Sequence, residues 1–387
     1  MGLFEKVLGP LNLKDRRRAS TTFKTLTAYQ PTFTSWNGKI YESELVRSAI
    51  NVRATHVSKL KVEIIGSAQP TLQTKLKKRP NKWQTWSQFL YRCSTILDVQ
   101  NTLFLVPLLD PFTGNTVGIY PIMPSRVRLI DYDGEVWLEY KFNNGQTAVV
   151  EYAKCGVMTK FQYKDDFFGE SNNALHDTMR LVDIQKKGIM EAVRNSASYR
   201  FMAKLQNFSR PEDISKERKR FDEENFRDEG GGILLFPNTY NDIKQMENKN
   251  YVVDAEQMKL IQTNVFNYFG VNEDVLQNKA YGDKWNAFYE SAVEPFAIQF
   301  SEVVTNMLLS DREMAGTEIM LSSNRLQYLS NTEKLNVSTT LIDRGILNRD
   351  EVREIRNLPP LPDGTGQNYI IRAEYVDAAD NGGNNDA

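Results

Sequence analysis

The side chains that most often carry out chemistry are scarce in this sequence and widely separated. It contains two histidines, His56 and His176, and two cysteines, Cys93 and Cys155. A zinc site of the His/Cys type needs about four such ligands brought together, which these positions do not suggest. No Gly-x-Ser-x-Gly stretch is present, and two histidines on predicted helices indicate no Ser-His-Asp arrangement. We therefore expect packed or surface histidines, and we predict no catalytic, metal-binding or cofactor-binding residue.

Paired carboxylates are the remaining candidates for chemistry. Asp165–Asp166 and Glu223–Glu224 could in principle hold a metal ion, as carboxylates do in nucleases. Adjacent residues on a helix do not face each other, however, so a solvated surface is the simpler interpretation. The glycine run at 230–232 precedes a predicted strand and lacks Gly-Lys-Ser/Thr, so it is not a phosphate-binding loop. A DNA-processing enzyme with a carboxylate metal site stays open as an alternative.

Composition narrows the class of protein. The chain has 387 residues, of which 41% are hydrophobic and 25% charged, a balance that supports two or three packed units. Its net charge of −1 argues against a tight grip on nucleic acid, but not against a channel through which DNA slides. Two separated cysteines indicate reduced thiols. With no signal peptide and no apolar run longer than 103–109, we expect a soluble intracellular protein without a membrane span.

The elements that must position any site follow an α+β order. A helix from Ser43 leads into a strand near 61–65. A second helix begins after Pro80-Asn81, a pair that interrupts regular secondary structure. The next hundred residues alternate as strands, with Asp133-Gly134 and Asn144-Gly145 as hairpin signals. Long helices then flank a small α/β excursion. Residues 1–42 are expected to be an extended arm that is ordered only against a partner, with a simple flexible terminus as the alternative. Residues 372–387 have a disordered composition.

A charged run at 216–224 lies on a short helix of this excursion, which Pro211 opens. Its cations and acids recur four residues apart, so the pairs Arg218–Asp222, Lys219–Glu223 and Arg220–Glu224 should neutralise one another. Two interpretations stay open, a solvated helix and a docking surface whose two signs meet a partner. The candidate docking residues are Lys216, Arg218, Lys219, Arg220, Glu223 and Glu224.

A polar stretch at 271–284 separates two apolar helices. Gly270 can end the first helix in a left-handed cap, and the second helix restarts near Asp283. Pro295 should kink that second helix, because proline removes a helix hydrogen bond. We expect a mobile loop held between two fixed anchors.

Seven stretches, in the same order and at compatible spacing, make the chain resemble the HK97-type phage portal protein family. The resemblance runs from about 43 to 364. The stretches are "SAINVRATHVSKLKVEII", "KRPNKWQTWSQFLYRCSTILDVQNTLFLVPL", "IYPIMPSRVRLI", "FQYKDDFFGESNNALHDTMRLV", "VFNYFGVNEDVL", "AVEPFAIQFSEVVTNMLLS" and "LIDRGILNRDEVREIRNLPPLPDG". The sequence departs from the family at Asn101-Thr102, where Gly-Asn is common, and at Asn272-Glu273, where the family usually continues Val-Pro-Pro.

The resemblance implies an α+β portal fold with an α/β wing, a helical stem, a small α/β clip, a kinked tunnel helix and a short helical crown. Its parts would be an N-terminal arm (1–42), wing (43–170), stem helices (171–198 and 254–270), clip (199–253), tunnel loop (271–284), kinked helix and return to the wing (285–327), crown-like helices (328–371) and a disordered tail (372–387).

It also implies a non-enzymatic function, a dodecameric ring at one capsid vertex whose channel passes double-stranded DNA. The partners would be other copies of the chain, DNA held transiently, the terminase large subunit, major capsid and scaffold proteins, and a head–tail adaptor, first in the host cytoplasm and then in the virion. The channel residues would be Asn272, Gln277, Asn278, Lys279, Tyr281 and Lys284. A non-ring capsid or head–tail structural protein is a further alternative.

Overall fold

The computed structural model describes most of the chain in separate stretches. These are residues 24–29, 41, 43–66, 74, 76–110, 112, 115–196, 201–205, 210–225, 240–245, 255–322, 331–355 and 358–370. They form two compact units, one comprising 1–177 and 262–387 and the other 178–261, each described here by itself. No helix within these stretches is both long and apolar enough to cross a membrane.

A four-stranded antiparallel sheet with the order β1-β5-β6-β7 forms one part of the first unit. Its strands are β1 (Lys24–Tyr29), β5 (Arg126–Tyr132), β6 (Glu135–Lys141) and β7 (Thr147–Glu151). The hairpin predicted at Asp133-Gly134 is confirmed, since Tyr132 pairs with Glu135 and both turn residues have positive φ, 56° and 84°.

Strand β1 corrects the prediction for the N-terminal arm. Lys24–Tyr29 pair antiparallel with β5, with a register shift between Thr25 and Thr27. These residues therefore find their hydrogen-bond partners within the chain and need no other molecule. The rest of the arm, at 1–23, 30–40 and 42, lies outside the described residues, as does the tail at 372–387.

A three-stranded sheet with the order β4-β3-β8 packs beside the first. It contains β3 (Thr102–Leu109), β4 (Thr116–Ile122) and β8 (Gly156–Thr159). One apolar cluster joins the two sheets, with Phe104 edge-on to both Tyr140 and Phe168. Phe104, Val106 and Leu108 of β3 all belong to this cluster, as the two-residue period of a strand requires.

Three helices cover the rest of this core. They are α1 (Glu44–Val57), α2 (Trp86–Gln100) and α8 (Glu294–Leu308). Helix α2 begins with a capping box in which Thr85 and Gln88 exchange hydrogen bonds, and it ends at Asn101 in the left-handed region. Strand β11 (Glu318–Ser322) returns to pair with β2 (Lys61–Ile65) in full register.

The second unit consists of helices flanking a small hairpin. Helix α3 (His176–Ser196) starts at the edge of this unit, after a 3₁₀ turn at Asn172–Leu175, and α5 (Ala255–Tyr268) begins inside it. Between them lie β9 (Phe201–Leu205), α4 (Pro211–Asn225) and β10 (Tyr240–Gln245), and the two strands pair antiparallel. The predicted strand after Gly232 lies outside the described residues.

The remaining helices of the first unit are short, except for α10 with 13 residues. They are α6 (Glu273–Leu276), α7 (Asp283–Phe288), α9 (Asp311–Met314), α10 (Asn331–Asp343) and α11 (Arg349–Ile355). Helix α11 is tied to the following turn, because the Asp350 carboxylate accepts the backbone N–H of Leu361 at 2.8 Å.

Candidate functional site

The segment 271–284 begins where helix α5 ends. Gly270 has a φ of 69°, and the N–H of Val271 donates to the carbonyl of Phe266 at 3.0 Å, which closes the helix end. The prediction that Gly270 terminates this helix in a left-handed conformation is thus confirmed. Val271 and Val275 are buried and tie the segment to the core of the first unit.

Residues Glu273–Leu276 form a short helix, whereas the sequence analysis expected a loop throughout 271–284. The mobility of the segment stays a prediction. Asn272 caps helix α6, since its side-chain oxygen accepts the N–H of Val275 at 2.9 Å. The turn closes when the N–H of Lys279 donates to the carbonyl of Asp274 at 2.7 Å, while Asn278 takes a φ of 56°. All six predicted channel residues are nevertheless exposed: Asn272, Gln277, Asn278, Lys279, Tyr281 and Lys284.

The segment carries five charged residues, of which Lys284 and Asp274 pair directly and Lys279 and Glu273 are both hydrogen-bonded to Gln277. Lys284 Nζ lies 2.7 Å from Asp274 Oδ2, and this hydrogen bond lowers the pKa of Asp274. Lys279 Nζ donates to Gln277 Oε1 at 2.6 Å, and Gln277 in turn donates to Glu273 at 2.8 Å. The exposed face is therefore polar and nearly neutral, a surface that can touch a polyanion without holding it.

The helix that follows the segment is irregular before Pro295. Residues Tyr289–Val293 form a π-helical turn between α7 and α8, and Pro295 is the second residue of α8. Tyr289, Val293 and Glu294 keep right-handed helical angles, so Pro295 lies inside a continuous helical run, where the N–H it lacks leaves a helix hydrogen bond unmade. The predicted helix interruption coincides with this turn, while a bend at Pro295 stays a prediction.

A buried ionic cluster connects both flanks of the segment, and sequence reasoning missed it. Asp98 is fully buried, and its Oδ1 accepts from Arg53 Nη1 and, at 2.9 Å, from Lys160 Nζ. Burial lowers the pKa of Lys160, and the Asp98 charge opposes that shift. We call Arg53, Asp98 and Lys160 the Asp98 cluster.

Each cation of the Asp98 cluster reaches one flank. Arg53 Nε donates to the carbonyl of Ala292 at 2.9 Å, inside the π-helical turn that follows the segment. Lys160 Nζ lies 5.6 Å from the ring centroid of Phe269, just before Gly270. One carboxylate thus helps to position the chain on both sides of 271–284.

Neighbouring polar side chains extend this network to the end of α5. The Tyr268 hydroxyl donates to Asn172 Oδ1 at 2.7 Å, and Asn172 donates to the carbonyl of Asp98 at 3.1 Å. Phe161, with an unfavourable φ of 54°, packs against Tyr268 at 5.0 Å between ring centroids. This strained residue is one part of the network that holds the end of α5.

The side chains considered for catalysis are either buried in the core or hydrogen-bonded to the backbone. Burial lowers the pKa of His56 to about 4 and raises the pKa of the Cys155 thiol to about 12, so neither is poised for acid–base or nucleophilic work near neutral pH. Asp165 accepts the backbone N–H groups of Phe167 and Phe168 at 2.8 and 3.1 Å. Within the described stretches, no three His, Cys, Asp or Glu side chains are grouped to hold a metal ion.

The predicted docking residues lie along α4. Lys216, Arg218, Lys219, Arg220 and Glu223 are exposed, while the side chain of Glu224 lies outside the described residues. Arg220 pairs at 2.8 Å with Glu217, three residues earlier, a contact that the four-residue spacing rule did not predict. Glu217 is buried, so this pair orients Arg220 on the helix.

The fold is similar to that of chains in two gene transfer agent particles and of one phage portal protein. A chain in the neck of a native gene transfer agent (GTA) particle, computed with C12 symmetry, superposes with a TM-score of 0.58 at 15% identity, covering 89% of this chain and 98% of that one. For a chain in the virion of the native gene transfer agent, the TM-score is 0.55 at 15% identity, over 83% and 92%. An HK97 family portal protein from Corynebacterium diphtheriae superposes with a TM-score of 0.50 at 11% identity, over 75% and 95%.

Sequence comparison agrees with the fold. Among curated protein sequences, none is similar enough to count as a relative. The pattern that defines the phage portal protein family, however, matches residues 44–357, which is most of the chain. The protein therefore belongs to the phage portal protein family.

Proposed function

We propose that this chain is the subunit of a dodecameric ring whose channel passes double-stranded DNA during genome packaging and ejection. The observation that carries the proposal is the similarity of this chain, over 89% of its length, to 98% of a chain from a neck particle computed with C12 symmetry. In this proposal the ring sits at the portal vertex of the virion, after assembly in the host cytoplasm. It has no catalytic activity of its own.

Exposed apolar side chains on α3 and α5 support self-assembly. Leu181, Ile184, Met190 and Val193 of α3 are 50–65% exposed in the single chain, and Leu260 of α5 is 61% exposed. Apolar surface of this extent favours burial against another protein surface, because water contact with it is unfavourable. Neighbouring copies of the chain would cover these residues in the ring, where α3 and α5 serve as the stem.

The remaining parts take the roles that the family suggests. The first unit supplies the wing and the crown-like C-terminal helices, and α4 with the β9–β10 hairpin supplies the clip. The exposed charges of α4 would dock the terminase large subunit and later a head–tail adaptor, while the wing would face major capsid and scaffold proteins. The segment 271–284 would line the channel, where its paired charges guide DNA rather than retain it.

Imaging of the purified chain tests ring formation. We expect annular particles with a central hole in electron micrographs, and we expect Met190→Glu with Val193→Glu to leave only monomers, because charges would be buried at the contact. Phe112→Glu is the matched control, since Phe112 is 96% exposed but does not lie on α3. Wild-type protein that stays monomeric beside its capsid and scaffold proteins would contradict the proposal.

Crosslinking tests the channel assignment. A photo-reactive amino acid at Tyr281, which is 70% exposed, should capture DNA in filled particles. The same group at the buried Val275 should capture protein only. Capture of DNA at neither position, in particles shown to contain DNA, would remove segment 271–284 from the channel wall.

A further inference from the structure

A stretch of the first unit carries basic residues without any acidic ones. Between Ile64 and Leu97 the sequence contains no Asp or Glu, but it contains six basic residues: Lys75, Lys77, Lys78, Arg79, Lys82 and Arg92. The chain has a net charge of −1, and residues 16–41 are a second stretch with basic residues, five of them, and no acidic one. Of the two stretches, the structure describes most of the one between Ile64 and Leu97. Four of these cations fall within six positions, Lys77 to Lys82, which we call the basic loop.

The basic loop is exposed and its charges are not neutralised by described neighbours. Lys77, Lys78, Arg79 and Lys82 are exposed, and within the described part of the chain none forms an ion pair. By contrast, the charged run on α4 interleaves acids with its cations. The acid at the border of the basic loop is Glu63, which shares an open groove with Lys77.

A rigid support holds the basic loop in place. The carbonyl of Pro80 accepts the N–H of Ile119 at 2.8 Å, and the side chain of the buried Asn81 donates to the carbonyl of Ile119 at 3.0 Å. Asn81 also accepts the N–H groups of Trp83 and Gln84, each at 2.9 Å. The backbone of the loop is therefore fixed on strand β4. Because it is already ordered, binding a ligand does not incur the entropy cost of ordering it.

Gly118 shows how close that attachment is. A Cβ at this position would lie 2.5 Å from the carbonyl oxygen of Pro80, a contact that no side chain tolerates without moving the backbone. Trp83 flanks the loop and is 40% exposed, and Lys82 Nζ lies 4.8 Å from its ring centroid. The surface is thus a fixed row of cations beside one aromatic side chain.

We propose that the basic loop binds the phosphate backbone of double-stranded DNA, at a site separate from segment 271–284. Six residues span at most about 20 Å, a length over which a duplex carries roughly a dozen phosphate charges. The cations can therefore meet a continuous row of phosphates without reading base sequence. The choice of DNA over an acidic protein surface rests on the proposed function, which brings a duplex to the particle.

Salt-dependent binding of a labelled duplex tests this site. The variant Lys77→Gln/Lys78→Gln/Arg79→Gln/Lys82→Gln should bind a fluorescein-labelled duplex of about 30 base pairs at least about tenfold more weakly at 0.1 M salt, with a salt slope lower by about 2 to 4. The matched control removes four exposed cations from separate elements by the same substitution, at Arg126, Lys164, Arg312 and Arg344. The control should keep most of the wild-type affinity and slope.

Further arms separate this proposal from its rivals. The variant Lys77→Arg/Lys78→Arg/Lys82→Arg keeps the charges and should bind as the wild type does, even if the glutamine variant folds poorly. Equal losses in the glutamine variant and the control, or no loss in either, would overturn the site. Binding of a poly-glutamate peptide that displaces the duplex at lower concentration would assign the loop to an acidic protein instead. If rings form normally but the glutamine variant binds the duplex as tightly as the wild type, this inference alone is refuted. If the basic loop binds the duplex but the chain never forms rings, the proposed function alone is refuted.

Discussion

Replacing Asp98 with Asn removes the negative charge that both cations of the Asp98 cluster contact. The Asp98 side chain is fully buried, and the side chains of Arg53 and Lys160 are 8% and 20% exposed, so water screens the cluster little. Breaking a buried ion pair by removing one partner costs about 3 to 5 kcal/mol. Because burial already lowers the pKa of Lys160, this lysine can lose its proton when its partner is lost. We therefore expect a loss near the lower end, about 3 kcal/mol.

Urea unfolding followed by tryptophan fluorescence measures this loss. The matched control is Glu354→Gln, which breaks the Lys61–Glu354 pair at 2.6 Å, where both side chains are more than half exposed. An exposed pair contributes up to about 1 kcal/mol, so the control should shift the midpoint only slightly. Equal effects of the two substitutions would refute the view that burial makes Asp98 energetically special.

Hydrogen exchange tests whether Asp98 restrains both flanks of segment 271–284. In Asp98→Asn, backbone amides at 268–270 and at 289–293 should both exchange faster, because each flank contacts one cation of the cluster. Faster exchange on one side only would show that the two flanks are held independently. Unchanged exchange on both sides would remove the cluster from any part in positioning the segment.

Three further predictions concern single positions. Because burial lowers the pKa of His56 to about 4 from an ordinary 6.5, its neutral form stabilises the fold fully above pH 6.5, and this contribution, on the order of 2 kcal/mol, is lost as the pH falls toward 4. His56→Gln should flatten the pH dependence of the unfolding midpoint, and a profile identical to that of the wild type would contradict the argument. In thermal unfolding, Gly169→Ala should lower stability by more than about 1 kcal/mol, because a Cβ there would lie 2.0 Å from a backbone carbonyl oxygen. Gly188→Ala, with open space around the added Cβ, should be neutral or stabilising in the same assay. Both cysteines are buried with raised thiol pKa values, so they should react with a disulfide reagent only on unfolding, and rapid labelling of native protein would show that one is accessible.

Short sequence signals were sufficient to predict where several turns and helix ends lie. Asp133-Gly134 predicted a two-residue hairpin because both turn residues must take positive φ, and they do. Gly270 predicted the end of α5 for the same kind of reason, since glycine enters the left-handed region at little cost. The order of seven family-like stretches then led to the family, although no one of them is specific alone.

Contacts between residues that are far apart in the sequence could not be predicted from such short signals. The Asp98 cluster joins positions that are 45 and 62 residues apart, and Asp98 has no sequence neighbour that signals its burial. Strand β1 was missed because a single edge strand of polar composition resembles an extended arm until its partner strand is known. Helix α6 was missed because a four-residue helix has too few positions to show a period, even though the Asn272 cap was visible in the sequence.

The number of residues in the π-helical turn at Tyr289–Val293 sets the rotation of α7 relative to α8. An α-helix advances by about 100° per residue, so one residue more or less before α8 rotates everything upstream by that angle. Trp285 and Phe288 now face His56, at 6.2 and 5.3 Å between ring centroids. Deleting Ser291 would turn both aromatic rings away from that histidine and rotate α7 relative to α8. A related chain could thus change how α7 joins segment 271–284 through an insertion or deletion in the turn, while keeping every residue of the segment itself.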